Sequence, residues 1–328
     1  MQTIPRFAYT IGVLALGAVS IFGASPASAQ APAPAQPQAP PAAQQPADPA
    51  AEALRAGQQL MRDGKADEAL AAYLKAVEQF PASVPARIRV GVQLDLMGRY
   101  PEARTHFEKA LAMPLTPAQE ASALRSMAMA YAFENNCKAA IPYESRLYER
   151  YLTKDKDFYM AGEIANELAR VCLEAGDFAT SETWYKRGYE AGLKEPNIAA
   201  ARKDLWEFRW QHAQARLAAR RGDKALAARH VAAAKAALDT GTNPDQAPFY
   251  PYLVGYVAFY GGDYKAALAE FAKGNQNDPF VLSLIAQSHE KLGDQAAAME
   301  VYRKVMTFTT HNPNNAFARP LARKKLGL

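Results

Sequence analysis

The feature that most constrains this chain is a repeat. Gly64, Ala69, Tyr73 and Ala76 recur 34 residues later as Gly98, Ala103, Phe107 and Ala110. The same order of small and aromatic residues returns four more times. It appears as Gly176-Asp177-Phe178 with Tyr185 and Gly188, and as Gly222-Asp223 with Ala227 and Ala234. It appears again as Gly262-Asp263-Tyr264 with Ala267, Phe271 and Gly274, and as Gly293-Asp294 with Ala298 and Tyr302. A fixed period of this length implies a stack of similar units, none of which can bury its apolar face alone. Each glycine ends one apolar helical run and precedes another, so it suits the left-handed residue that closes a helix. Length alone would permit one large or two ordinary domains; the period replaces both with a single stack of helical hairpins.

The pattern resembles the tetratricopeptide repeat, which carries a small residue at its eighth position, alanine at the twentieth, an aromatic at the twenty-fourth and often proline near the end. In this chain the eighth position is Gly57, Gly91, Ala128, Ala169, Ala215, Gly255 and Ala286, and the terminal proline is Pro81 or Pro279. Seven repeats fall near 51–83, 84–117, 121–156, 162–195, 208–241, 248–278 and 279–308. Repeat 3 departs from the pattern, with Asn135 at the turn, Pro142 early in its second helix and Glu144 at the aromatic position. Repeat 5 has Val231 at that position and an insertion around Leu193–Asp204 before it. The resemblance implies an all-α fold, a right-handed α-α superhelix of about seven hairpins (51–308) whose first helices line a concave face. A basic segment, 309–328, is expected to cap the stack: Thr307–Asn315 as a loop, Ala316–Leu328 as a short helix over the last repeat.

The first fifty residues read differently. Arg6, an uncharged apolar stretch from Ile11 to Gly23, and the small residues Ala27-Ser28-Ala29 form the signature of a secretory signal peptide over residues 1–29. The apolar run is shorter than the roughly 20 residues of a membrane span, so no transmembrane segment is expected in the mature chain. Residues 30–50 hold 7 Pro, 8 Ala and 5 Gln and nothing that could build a core, so they are expected to be an extended, disordered linker. Together these features predict export across an inner membrane and a periplasmic, cell-envelope location.

Catalytic chemistry is not visible. None of the five histidines lies in a metalloprotease motif or pairs with a cysteine at metal spacing, and phosphate loops and nucleophile elbows are missing. The expectation is a non-enzymatic protein with no metal and no cofactor. The two cysteines, Cys137 at the start of the second helix of repeat 3 and Cys172 late in the first helix of repeat 4, should lie where those antiparallel helices meet. An oxidising compartment permits a disulfide there; two buried thiols are the alternative.

Projecting the groove-facing positions of each first helix gives the candidate binding residues. Repeat 4 offers Glu163, Asn166 and Arg170. Repeat 5 offers a basic stripe, Arg209, His212, Arg216 and Arg220. Repeat 6 offers an aromatic stripe, Phe249, Tyr252, Tyr256, Phe259 and Tyr260. Val254, Gly255 and Ala258 are the positions expected to fill the core of that last helix, which would leave the rings free. The alternatives are packing of the rings against neighbouring first helices and ion pairing of the arginines with repeat 4 acids. Residues 201–239 carry net charge +5 and residues 240–300 net −4. Such alternating patches argue against a nucleic-acid partner, which favours a continuous basic surface. The reading is a binding scaffold for a protein or peptide partner, held in the groove. A carbohydrate or peptidoglycan ligand stacking on the repeat 6 rings is the alternative.

Overall fold

The computed structural model describes residues 49–328; the expected signal peptide and nearly all of the expected linker lie outside the described residues. Seven helical hairpins follow one another. They are α1 (Ala51–Arg62) with α2 (Ala66–Gln79), α3 (Val84–Leu96) with α4 (Tyr100–Leu111), and α5 (Pro117–Phe133) with α6 (Cys137–Arg150). Then come α7 (Phe158–Glu174) with α8 (Phe178–Gly192), α9 (Ala200–Arg220) with α10 (Lys224–Asp239), α11 (Phe249–Tyr260) with α12 (Tyr264–Phe271), and α13 (Pro279–Lys291) with α14 (Gln295–Val305). A last helix, α15 (Pro313–Leu326), ends the chain, and no strand occurs among the described residues. Each hairpin packs on itself and on the next, so the fold is an all-α solenoid.

The hairpin turn is a two-residue device. Gly64 leaves α1 in the left-handed conformation at φ 76°, and Asn135, the next-best residue for that geometry, does so at φ 57° where repeat 3 has no glycine. The aspartate after the turn glycine then caps the following helix. Asp177 accepts from the Thr180 backbone N–H at 3.1 Å, Asp223 from Leu226 at 2.9 Å, Asp263 from Ala266 at 3.0 Å and Asp294 from Ala297 at 3.1 Å. Asn136 does the same for α6. The recurring Gly-Asp pair thus closes one helix and opens the next, satisfying backbone groups that either end would leave unpaired.

Inside hairpins 1, 2 and 6, the ring of the second helix lies on the glycine of the first, sixteen positions earlier. A Cβ on Gly255 would stand 2.6 Å from the Phe271 ring, and one on Gly57 or Gly91 would overlap Tyr73 or Phe107. All three rings are fully buried. Between hairpins 4 and 5 the same idea is used sideways, with the buried indole of Trp206 seated against Gly162 and Gly192. The stretch expected as an insertion before repeat 5 is half turn and half helix: α9 opens at Ala200, which adds about two helical turns and brings Trp206 to that notch.

Two features of repeat 3 depart from the pattern. Glu144 occupies the buried slot of the missing ring, with 0% exposure. Burial, together with the neighbouring Glu167 carboxylate, pushes its pKa well above the ordinary range, against the pull of Arg125. Arg125 itself donates to Glu167 at 2.7 Å. Nearby, Cys137 and Cys172 are joined in a disulfide, Cα–Cα 4.8 Å, that links α6 to α7 across 35 positions of sequence.

Two outcomes follow. Replacing both cysteines by alanine lowers unfolding stability by about 4 kcal/mol, the chain-entropy value for a loop of this length; urea titration, with m fitted separately for each protein because the uncrosslinked chain unfolds to a looser state, measures it. Glu144 has a folded pKa above its unfolded one, so its contribution is complete below the unfolded pKa and falls away as pH rises. Glu144→Gln therefore matches the parent near pH 5 and exceeds it in melting temperature near pH 8. Parallel pH profiles for the two proteins would refute this.

Candidate functional site

The C-terminal helix does more than cover the last repeat. It packs on α13 and α14 as a cap would, and it also reaches across the stack to the first helices α5 and α7. It begins at Pro313, three residues before the expected start, because Asn312 caps it by accepting from the Asn315 N–H at 3.0 Å. Just before it, His311 contacts Asp95 of α3 at 2.8 Å in a buried pair, its ring 5.5 Å from that of Phe133. Arg319 donates from Nε to the Leu96 carbonyl at the end of α3 (2.6 Å) and from Nη1 to the carbonyls of Met306 and Phe308 (2.9 Å each). One guanidinium thus satisfies carbonyls at the end of α3 and just beyond α14. Burial lowers its pKa to about 10. The expected simple cap is therefore a clasp between repeats 2–4 and repeats 6–7, lying along the first helices.

That clasp changes the fate of the aromatic stripe. Tyr252, Tyr256 and Phe259 are buried, Tyr260 is half-buried, and Phe249, 48% exposed, is the ring most open to solvent. Gly255 seats Phe271 as expected, but Val254 and Ala258 are only partly buried, and the rest of the core of α11 is built from Leu253 and the rings. Gly255 has no side chain and Ala258 a short one, and the volume between α9, α11 and α13 is taken by the tyrosines. Tyr256 accepts from Arg220 at 3.5 Å and donates to Glu174 at 3.2 Å. Tyr252 stacks on His212 at 5.6 Å.

The basic stripe divides along the α7–α9 register. Residues 46 apart in sequence stand opposite one another. Near the first end, Arg209 pairs with Glu163; near the other, Arg220 Nη1 pairs with Glu174 at 2.9 Å. The Arg220–Glu174 pair is largely buried. Between those pairs the same spacing sets Asn166 opposite His212 and Arg170 opposite Arg216. Arg170 donates to Asn314 of α15, and Asn314 donates in turn to Asp278 at 2.6 Å. Arg216 is 6% exposed and has no carboxylate within ion-pair distance; its Nε reaches only the His212 carbonyl, at 3.5 Å. Its guanidinium lies over the Tyr185 ring, 5.5 Å from the centroid.

Asn166, Arg170, Arg209, His212, Arg216 and Phe249 line one pocket of about 300 Å³. Tyr185, Phe208 and Gln246 complete it together with Glu163. Of the candidate residues, this pocket gathers seven, Glu163 among them; Tyr252, Tyr256, Phe259, Tyr260 and Arg220 belong to the packing beside it. Burial and the charges of Arg216 and Arg170 hold His212 well below its usual pKa, so it is neutral at pH 7. Tyr185 escaped notice in the sequence because it sits on a second helix, at the position that normally serves as packing. Its hydroxyl is buried without a hydrogen-bond partner. Among the described residues no cluster of His, Cys, Asp or Glu could hold a metal ion, and no helix is long and apolar enough to cross a membrane.

Stacked hairpins with a polar pocket between two first helices define a helical-repeat solenoid. Residues 54–120 match one tetratricopeptide-repeat family model and residues 281–309 match another. The chain thus carries tetratricopeptide repeats in those two segments. Among solved structures it is similar to a tetratricopeptide repeat protein from Parabacteroides merdae, with 13% identity, a TM-score of 0.46, and 83% of this chain and 98% of that one covered. It is also similar to the tetratricopeptide-repeat domain of P58(IPK), with 14% identity, a TM-score of 0.28, and coverages of 85% and 98%. No curated protein matches the sequence.

The clasp yields a measurable expectation. Arg319→Ala leaves buried carbonyls unpaired and costs about 2–4 kcal/mol. Hydrogen exchange should show lost protection in α15 with α1 and α2 unchanged; full protection of α15 in the variant would contradict the role given to Arg319.

Proposed function

We propose that the protein is an exported scaffold that holds a segment of a protein partner in its concave groove, working in the periplasm as part of a cell-envelope assembly. The observation that carries the reading is the arginine-lined pocket opening beside Phe249, on the face where tetratricopeptide repeats generally bind protein partners. Preformed hairpins hold its side chains at fixed spacing, which lowers the entropy lost on binding an extended or helical segment. The export signature of residues 1–29 and the proline-rich linker of 30–50 support the location, with the linker acting as a tether for the solenoid. The sequence supplies no catalytic motif, so the role is recognition without turnover. A carbohydrate ligand draws its support from the repeat 6 rings, three of which are buried, and the protein-binding reading is preferred.

The test is site-specific photo-crosslinking in intact cells, with the crosslinker placed at Phe249 or Gln246 in the pocket and at Lys186 on the exposed face of α8. Discrete adducts with a protein from the pocket positions and none from Lys186 are expected, in a chain shortened by 29 residues and recovered in the periplasmic fraction. Equal adducts from all three positions, or an unprocessed cytoplasmic chain, would refute the respective parts of the proposal.

A further inference from the structure

The pocket between α7 and α9 has an electrostatic arrangement that packing alone does not account for. The two helices meet in register, and at both ends of their contact an arginine of α9 faces a glutamate of α7: Arg209 with Glu163, and Arg220 with Glu174. At the position between them, where the same register sets a third pair, both residues are arginines, Arg170 and Arg216. Like charges face one another where the flanking pairs are complementary.

A buried guanidinium cannot escape its charge by losing a proton, and a buried charge without a partner is strongly unfavourable. Arg170 is relieved through Asn314 and, behind it, Asp278. Arg216 has the face of Tyr185, one long bond to a carbonyl and, beyond ion-pair distance, the field of Glu174, a carboxylate already engaged by Arg220, and these offset only part of such a cost. Around it the pocket gathers polar atoms without partners: the Tyr185 hydroxyl and His212 Nε2 are both buried and unpaired. His212 and Arg216 are each more than nine-tenths buried, as is Tyr185, and all three line the same 300 Å³ space. Phe208 and Phe249 supply apolar walls, Phe249 at the rim. The donor set is a bidentate fork plus a phenol, with a second guanidinium close by. It complements an anion bearing two or more acceptor oxygens.

We infer that this pocket binds one oxyanion group, a carboxylate or a phosphate, seated on Arg216 with Arg170 and Tyr185 as further donors. The inference rests on the groove reading for its source: the group is carried by the bound partner segment, as an acidic or a phosphorylated residue. Arg209 is already neutralised by Glu163 and stands outside the donor set.

Thermal unfolding of the full chain, at constant ionic strength set with chloride, tests the inference with two probes, inorganic phosphate and glutarate, and with neutral glutaramide as control. A saturable rise in Tm with phosphate marks the phosphorylated source, and one with glutarate marks the acidic source. Glutaramide and chloride give no rise. Arg216→Met keeps the packing volume, melts at or above the parent temperature because it removes a buried unpaired charge, and loses at least tenfold in probe affinity. Tyr185→Phe, which deletes one oxygen, binds several-fold more weakly, and Lys186→Gln, on the exposed face of α8, stays within about threefold of the parent. Probe effects no larger than chloride, or unchanged in folded Arg216→Met, overturn the inference. Crosslinking at Phe249 separates it from the groove reading. Adducts without oxyanion binding sink only the inference. Oxyanion binding without adducts sinks the protein partner and leaves the pocket.

Discussion

The contact on which the stack depends is a ring laid on a residue that has almost no side chain. Tyr73 on Gly57, Phe107 on Gly91 and Phe271 on Gly255 each bring two antiparallel helices to a distance that any larger residue would prevent. A fully buried ring removes a large apolar area from water, and repeating the contact at a constant offset fixes the relative placement of successive hairpins. Trp206 between Gly162 and Gly192 applies the same principle from one hairpin to the next. Where repeat 3 gives up its ring, the buried slot holds Glu144 instead, and a disulfide at the start of the same helix links α6 to α7 of the next hairpin.

A solenoid of this kind ordinarily has stability that is local, each unit answering only to its neighbours. Here α15 removes that independence. Arg319 and His311 tie the end of α3 to the segment following α14, and Asn314 couples Arg170 of repeat 4 to Asp278 at the start of α13. The concave face is consequently divided. Part of it is covered by the chain's own helix, and the part beside α7 and α9 keeps a pocket. The arginine that lines that pocket without a carboxylate partner is positioned by a register whose two flanking ion pairs hold the helices in place.

Much of the fold could be read from sequence because it rests on short-range chemistry. The turn glycines, the aspartate caps that follow four of them and the ring sixteen residues after the small position in most repeats act within a single hairpin, so their spacing is preserved along the chain. The start of α9 was harder to see, since the turn at 193–199 carries no repeat signature and the helix is anchored by one tryptophan in a notch made by two other helices. The fate of the aromatic stripe was harder still. Val254 and Ala258 look sufficient as the core of α11 when that helix is considered alone; with α9, α13 and α15 around it, the tyrosines are what fills the space.

The sequence by itself determined the number of hairpins, where each turns, and which side of each first helix carries arginine or tyrosine, because these follow from local periodicity and capping. The tertiary structure decided which of those side chains meet. It matched Arg209 and Arg220 with glutamates, buried Tyr252, Tyr256 and Phe259, laid α15 along the groove, and left Arg216 facing Arg170 across a pocket. Those outcomes depend on the register between helices tens of residues apart and on a C-terminal helix that crosses repeats far from it in sequence. Pairwise distance in the folded chain carries that information, and residue spacing does not.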